Sequence, residues 1–253
     1  MRMHKQVWVI TKTMFKAWIR YPENTMGTLI YLGIVGVFAY VLMLSNLLTI
    51  DAVPYYIVGL TIFAFIGQSN SVYINFSVWR EELLAKPVKP DIFLLSVYFG
   101  GLLTSALPML LLFFLSIPFY WDSLHMAPFL LLISLFLGIL SSLGMCYLFA
   151  SLGLRFRPEG YIVTSLTFVF TFLCGILVPV YLLPRPMVYV SYIIPYTWSI
   201  DLFRHSILST PTISPLNQEL LILVVSTAVY LFLGKLFLMR TLKAIRVKKV
   251  IIK

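Results

Sequence analysis

Apolar residues fall along this chain in six long runs, 26–48, 54–78, 92–117, 129–154, 161–183 and 220–239, separated by short polar segments. Each approaches or exceeds the roughly 20 residues that a helix needs to cross a bilayer. The pattern therefore predicts an all-α integral membrane protein, a single transmembrane domain over 1–253 with six transmembrane helices. Ahead of the first run the pattern changes. On a helical wheel Lys5, Lys12, Lys16 and Arg20 share one side, while Val7, Trp8, Ile10, Met14, Phe15, Trp18 and Ile19 cover most of the other. This predicts an interfacial amphipathic helix over 5–20. Its basic side (Lys12, Lys16, Arg20) faces lipid phosphates, and Trp18 sits among the aromatics at the acyl boundary. Pro22 ends it, and Asn24 or Thr25 is placed to cap the next helix.

Two segments between the runs carry information of their own. Six of the thirteen residues in 79–91 are charged, and 80–86 (Arg80, Glu81, Glu82, Leu83, Leu84, Lys86) reads as one or two amphipathic helical turns stopped by Pro87 and Pro90. A solvated loop would have the same composition. After the fifth run, Pro184, Pro186 and Pro195 cut 184–208 into two short helical pieces, 187–194 and 197–208. Eight residues cannot span a bilayer, so we expect a re-entrant extracytoplasmic hairpin whose broken backbone is shielded by neighbouring helices.

Charge orients the bundle. The N-terminal segment, the loops at 79–91 and 155–160 and the tail from Lys235 together hold seventeen Lys and Arg residues, against two (Arg185, Arg204) in the segments on the other side. The positive-inside rule then places both termini in the cytoplasm. All five tryptophans fall at the expected water–lipid boundaries. The chain is 60% hydrophobic and only 11% charged, and its net charge of +10 lies in loops and tail, so we expect no nucleic-acid partner. Cys146 and Cys174 lie inside apolar runs without metal-ligand spacing. No cleavable signal peptide is expected before the first long run.

Catalytic equipment is missing from the sequence. No Asp, Glu, Arg or His occupies the middle of a run, where ion-coupled transporters place relay groups. Gly234-Lys235 lacks the spacing of a phosphate loop, and there is no His-Glu-x-x-His pair. The membrane runs instead carry uncharged polar stripes: Gln68, Ser71 and Asn75 on one helical face of the second, and Thr164, Thr167, Thr171 and Cys174 on one face of the fifth. Such faces can line a pathway for an amphiphilic solute or serve as interhelical hydrogen bonds. Ser134, Gly138 and Ser142 form a small-xxx-small face on the fourth run that permits close helix packing.

This order of parts resembles the permease subunit of a type-2 ABC transporter. The most specific match follows the fifth run: Gly175, Pro179, Leu183-Pro184, Pro195, Thr197, Asp201 and Arg204 are similar to that family's G…P…LP…P-x-T…D-x-x-R pattern. Ile194 stands where the family commonly has Asn before the later proline. The resemblance covers nearly the whole chain. It implies a homodimer bound to two copies of a separate ABC ATPase subunit, with ATP and Mg held by that partner and no cofactor or metal held by this chain. It also implies that 80–86 is the coupling helix contacting the ATPase, and that the first, second and fifth runs line the route. Pro195, Asp201 and Arg204 would then belong to an extracytoplasmic gate. Asp201 and Arg204, at i and i+3, are placed to pair with each other. The expected function is export of an amphiphilic, drug-like, lipid or lipid-linked glycan molecule across a prokaryotic cytoplasmic membrane. A passive channel or membrane scaffold without a motor is the competing class.

Overall fold

The computed structural model describes residues 3–20, 52–66, 69–78, 89–119, 125–155, 169–176 and 179–251. Among them every regular element is helical: α1 (Met3–Arg20), α2 (Ala52–Ile66), α3 (Ser69–Val78), α4 (Pro90–Ser116), α5 (Pro128–Arg155), α6 (Arg185–Ile193), α7 (Pro195–Leu208) and α8 (Leu216–Ile251). Proline sits in the first turn of α4, α6 and α7, where its missing N–H costs no hydrogen bond and its fixed φ suits a helix start. Of the described helices, Pro128–Arg155 and the Leu216–Ile245 part of α8 are long and apolar enough to cross a membrane. The first apolar run lies outside the described residues, as do 161–168 and 177–178 of the fifth. The second run divides into α2 and α3, with 67–68 between them outside the description.

α5 is the hub, packed against α8, α3 and α7. One core cluster joins Val58 and Ile62 of α2, Met145 and Phe149 of α5, and Tyr196, Ile200 and Phe203 of α7. A second joins Val72 and Phe76 of α3, Leu94 and Tyr98 of α4, and Cys146 and Leu154 of α5. Both cysteines are free and buried. The side of α8 turned away from α5 exposes Leu221, Val225 and Phe232, as expected of a surface that meets lipid tails.

The small residues Ser134, Gly138 and Ser142 of α5 are all buried, and the two serines face different neighbours. The Ser134 carbonyl accepts from Ser199 Oγ of α7 (3.1 Å), and Ser142 Oγ shares a hydrogen bond of 2.5 Å with the Tyr98 hydroxyl of α4. A close backbone approach comes two residues later. A Cβ on Gly144 would lie 2.7 Å from Leu231 N and from the Tyr230 carbonyl carbon of α8, and one on Gly234 would overlap the Gly144 carbonyl oxygen. Toward the other end of the same pair, Ser151 Oγ and Thr241 Oγ1 hydrogen-bond (2.7 Å), and Arg155 Nε donates to Thr241 (3.0 Å).

α1 packs along α4. Thr11 is buried at the centre of its apolar side and donates to the Ser96 carbonyl (3.3 Å), while Lys12, Lys16 and Arg20 are exposed. Val7, Ile10 and Phe15 on the same side are half-buried, whereas Trp8 is exposed; the side chain of Trp18 is not among those described.

Candidate functional site

One end of the bundle, expected from the charge pattern to be the outer one, is organised by α7. Eleven of its fourteen residues are buried, which is unusual for a helix carrying Asp201, Arg204 and His205. The sharp passage from α6 to α7 takes place at Ile194, in extended conformation (φ −82°, ψ 118°), and no side chain caps it. Two α7 side chains reach back instead to carbonyls at the end of α6. Thr197 Oγ1 donates to Ser191 O (2.8 Å) and Trp198 Nε1 to Tyr192 O (2.9 Å). They pin the start of α7 to the end of α6, whereas a capping side chain at 194 would accept from the first N–H groups of α7.

Arg204 is 1% exposed and is the largest fully buried side chain among the described residues. An unpaired cation would not tolerate that position. Its Nε donates to Tyr55 O (3.2 Å), Nη1 to Gly175 O (2.5 Å) and Nη2 to Ile176 O (3.0 Å), and its guanidinium lies 3.6 Å from the centre of the Tyr55 ring. Partial charges on three carbonyls and the ring face replace the lost water. Local backbone geometry presents those acceptors. Gly175 adopts φ 80°, a left-handed conformation that ends the helical turns at 169–173 and turns its carbonyl and that of Ile176 toward α7. Gly59 leaves room for the guanidinium, because a Cβ there would overlap Nη2. One side chain of α7 therefore ties together the start of the second apolar run and the end of the fifth.

Asp201 and Arg204 do not close on each other as a simple i, i+3 pair. The guanidinium is directed to main-chain carbonyls, and Asp201 Oδ2 accepts from the Ile213 N–H (3.0 Å), holding the connection between α7 and α8. Beside Asp201 lies Glu219, in the first turn of α8 and one residue before the apolar stretch 220–239. Glu219 is 0% exposed, and neither of its oxygens has a hydrogen bond of ordinary geometry. Burial, and then the charge of Asp201, pushes the Glu219 carboxyl up to about 9, while the nearby Ser214 amide opposes the shift. Burial also raises Asp201, opposed by the Ile213 N–H, by Glu219 and by the positive charge of Arg204.

Of the other residues singled out in the sequence, Arg80, Glu81, Glu82, Leu83, Leu84 and Lys86 lie outside the described residues, as do Gln68, Thr164 and Thr167. Ser71 and Asn75 lie on α3, and Asn75 is half-buried. Thr171 is buried, in the helical turns just before Gly175. Pro195 is buried at the start of α7. Sequence reasoning missed Tyr55, Gly59 and Glu219. Only Glu219 left a trace there, as an acid abutting the last apolar run.

The bundle thus combines apolar, membrane-length helices with a basic amphipathic N-terminal helix and a buried Asp-x-x-Arg helix. The sequence pattern of the ABC-2 type transporter family matches residues 5–208, so the chain belongs to that family and is a transmembrane permease component. The match ends at the last residue of α7, leaving α8 beyond it. A search of curated proteins found no match. Membership of this family carries with it an ABC ATPase partner, since the permease component is not itself the ATPase.

Proposed function

We propose that this chain forms the membrane half of an ATP-driven exporter, a homodimer working with two copies of a separate ATPase that holds the ATP and Mg. The observation that carries this reading is the Arg204 tie. It joins α7 to Tyr55 of the second run and to Gly175 and Ile176 of the fifth, so the outer helices must move whenever those two runs move relative to each other. Coupled rigid elements of this kind turn a displacement at one end of a bundle into opening or closing at the other. In this scheme 80–86 is the cytoplasmic lever: Leu83 and Leu84 fill a groove on the ATPase, and Glu81 and Glu82 meet its basic residues. The second and fifth runs line the route with Gln68, Ser71, Asn75, Thr164, Thr167 and Thr171, and α6 and α7 close its extracytoplasmic end. Both termini face the cytoplasm of a prokaryotic cell.

The cargo in this reading is amphiphilic, either drug-like or lipid or a lipid-linked glycan. Tyr181 and Tyr189 are exposed near the outer end, which suits stacking on sugar faces and equally suits an interfacial aromatic belt. The proposal therefore stays at the amphiphilic class. Co-purification with the cognate ATPase tests the lever. The wild-type chain is expected to retain the ATPase through size exclusion, and the Glu81→Lys, Glu82→Lys double variant to lose it while remaining folded. Undiminished binding and transport in that variant would remove the coupling role from 80–86.

A further inference from the structure

We propose that Asp201 and Glu219 share one proton across the junction between α7 and α8, and that releasing it loosens the outer end of the bundle. Two carboxyl groups meet here, and the inner one, Glu219, is fully buried with neither oxygen in an ordinary hydrogen bond. An ionised carboxylate is disfavoured in such a place when the nearby Ser214 amide is the donor it faces, whereas a protonated one needs only a neighbouring acceptor, and Asp201 is that acceptor. Asp201 is also the member with access to the outside. It lines a cavity of about 160 Å³ together with Tyr55, Tyr181, Tyr192 and Thr210. Thr210 is 6% exposed, and its hydroxyl has no hydrogen-bond partner. A proton therefore reaches Glu219 from the cavity by way of Asp201.

The surrounding charge fixes how many protons the site holds. Arg204 and His205 face Asp201 from α7, and Tyr55 and Tyr181 from α2 and the turn Val180–Leu182; Tyr192 of α6 joins them at the cavity. The outer half of α5, 128–144, has no ionisable side chain, and neither has the connection 209–215. Among the described residues the one permanent cation at the site is Arg204, which balances one carboxylate and leaves the second to be neutralised by a proton. In the closed form the ion Asp201–COO⁻ accepts from the Glu219 carboxylic acid. When the junction opens to water both groups ionise, and the proton passes to solvent through the cavity.

The sign follows from linkage. Glu219 is raised in the closed form, so its contribution to closure is complete below the ordinary carboxylate range and is lost progressively as pH rises toward about 9. Across that interval the opening equilibrium should increase about tenfold per pH unit. Two measurements on the full-length chain in detergent, with neither ATP nor ATPase present, test this. Infrared difference titration should show a protonated carboxyl surviving well above the ordinary carboxylate range and vanishing near pH 9. Hydrogen exchange at the Ile213 amide, corrected for its intrinsic rate, should rise steeply with pH in the wild type and be flat in Glu219→Gln, whose amide donates to Asp201 but does not titrate. A wild-type spectrum with no protonated carboxyl above the ordinary range overturns the proposal whether or not the variant folds, as does the same exchange profile in both proteins. Either failure would leave the transport reading standing, because neither measurement involves transport.

Discussion

Replacing Arg204 with alanine is expected to destabilise the folded chain by at least about 3 kcal/mol, enough to lower its unfolding midpoint sharply in detergent. The change removes three charge-assisted donors at once and leaves the carbonyls of Tyr55, Gly175 and Ile176 without them at a buried position. Arg204→Lys keeps the charge but not the fork, and a single ammonium cannot reach three carbonyls while lying flat on Tyr55, so it should recover only part of the loss. Gly59→Ala attacks the same tie from the other side. Its methyl overlaps Nη2, and although an arginine tip is ordinarily free to swing aside, this one is held by three acceptors. All three variants should weaken transport in proportion to the loss of stability at the outer end. Unchanged thermal unfolding of Arg204→Ala would mean that the guanidinium does not hold these elements together.

The second large effect is expected where α5 crosses α8. Gly144→Ala and Gly234→Ala would each gain a few tenths to about 1 kcal/mol of helix propensity on an isolated helix. In the bundle the added methyls meet main chain, Leu231 N for Gly144 and the Gly144 carbonyl for Gly234, and backbone cannot rotate away as a side chain does. We therefore expect net destabilisation of about 2 to 3 kcal/mol for each, as for overpacking of a tight core. The double variant should cost less than the sum, because once the first methyl has forced the helices apart the second finds room. Stabilisation by either single variant, read from the denaturation midpoint, would show that α5 and α8 do not approach this closely.

These two sites show what was legible in the sequence. Periodicity and charge predicted the basic exposed side of α1, the long helices α5 and α8 and the two short helices either side of Ile194, since all of these follow from local pattern. Arg204 and Asp201 stood out through the family-like spacing, yet their partners did not. Tyr55 and Gly175 lie 149 and 29 residues from Arg204 and offer it backbone carbonyls, which leave no mark on side-chain identity. An i, i+3 acid–base pair looks self-contained in one dimension, but in the fold Asp201 is needed 12 residues away at Ile213. Glu219 reads as a solvated first-turn acid that suits the helix dipole, and only tertiary packing makes it a buried group. Ser134, Gly138 and Ser142 are buried as a close-packing face would be, but the approach at Gly144 left no such spacing, because close packing is decided by what the facing helix presents.

The central claim is that this permease has no energy source of its own and moves its cargo when a separate ATPase drives it from the cytoplasmic side. Reconstituting the chain into lipid vesicles with and without the ATPase subunit, and following a fluorescent amphiphile across the bilayer, tests it most directly. Directional movement should occur only with the ATPase, ATP and Mg together. Directional movement by the chain alone under an ion gradient would contradict the account.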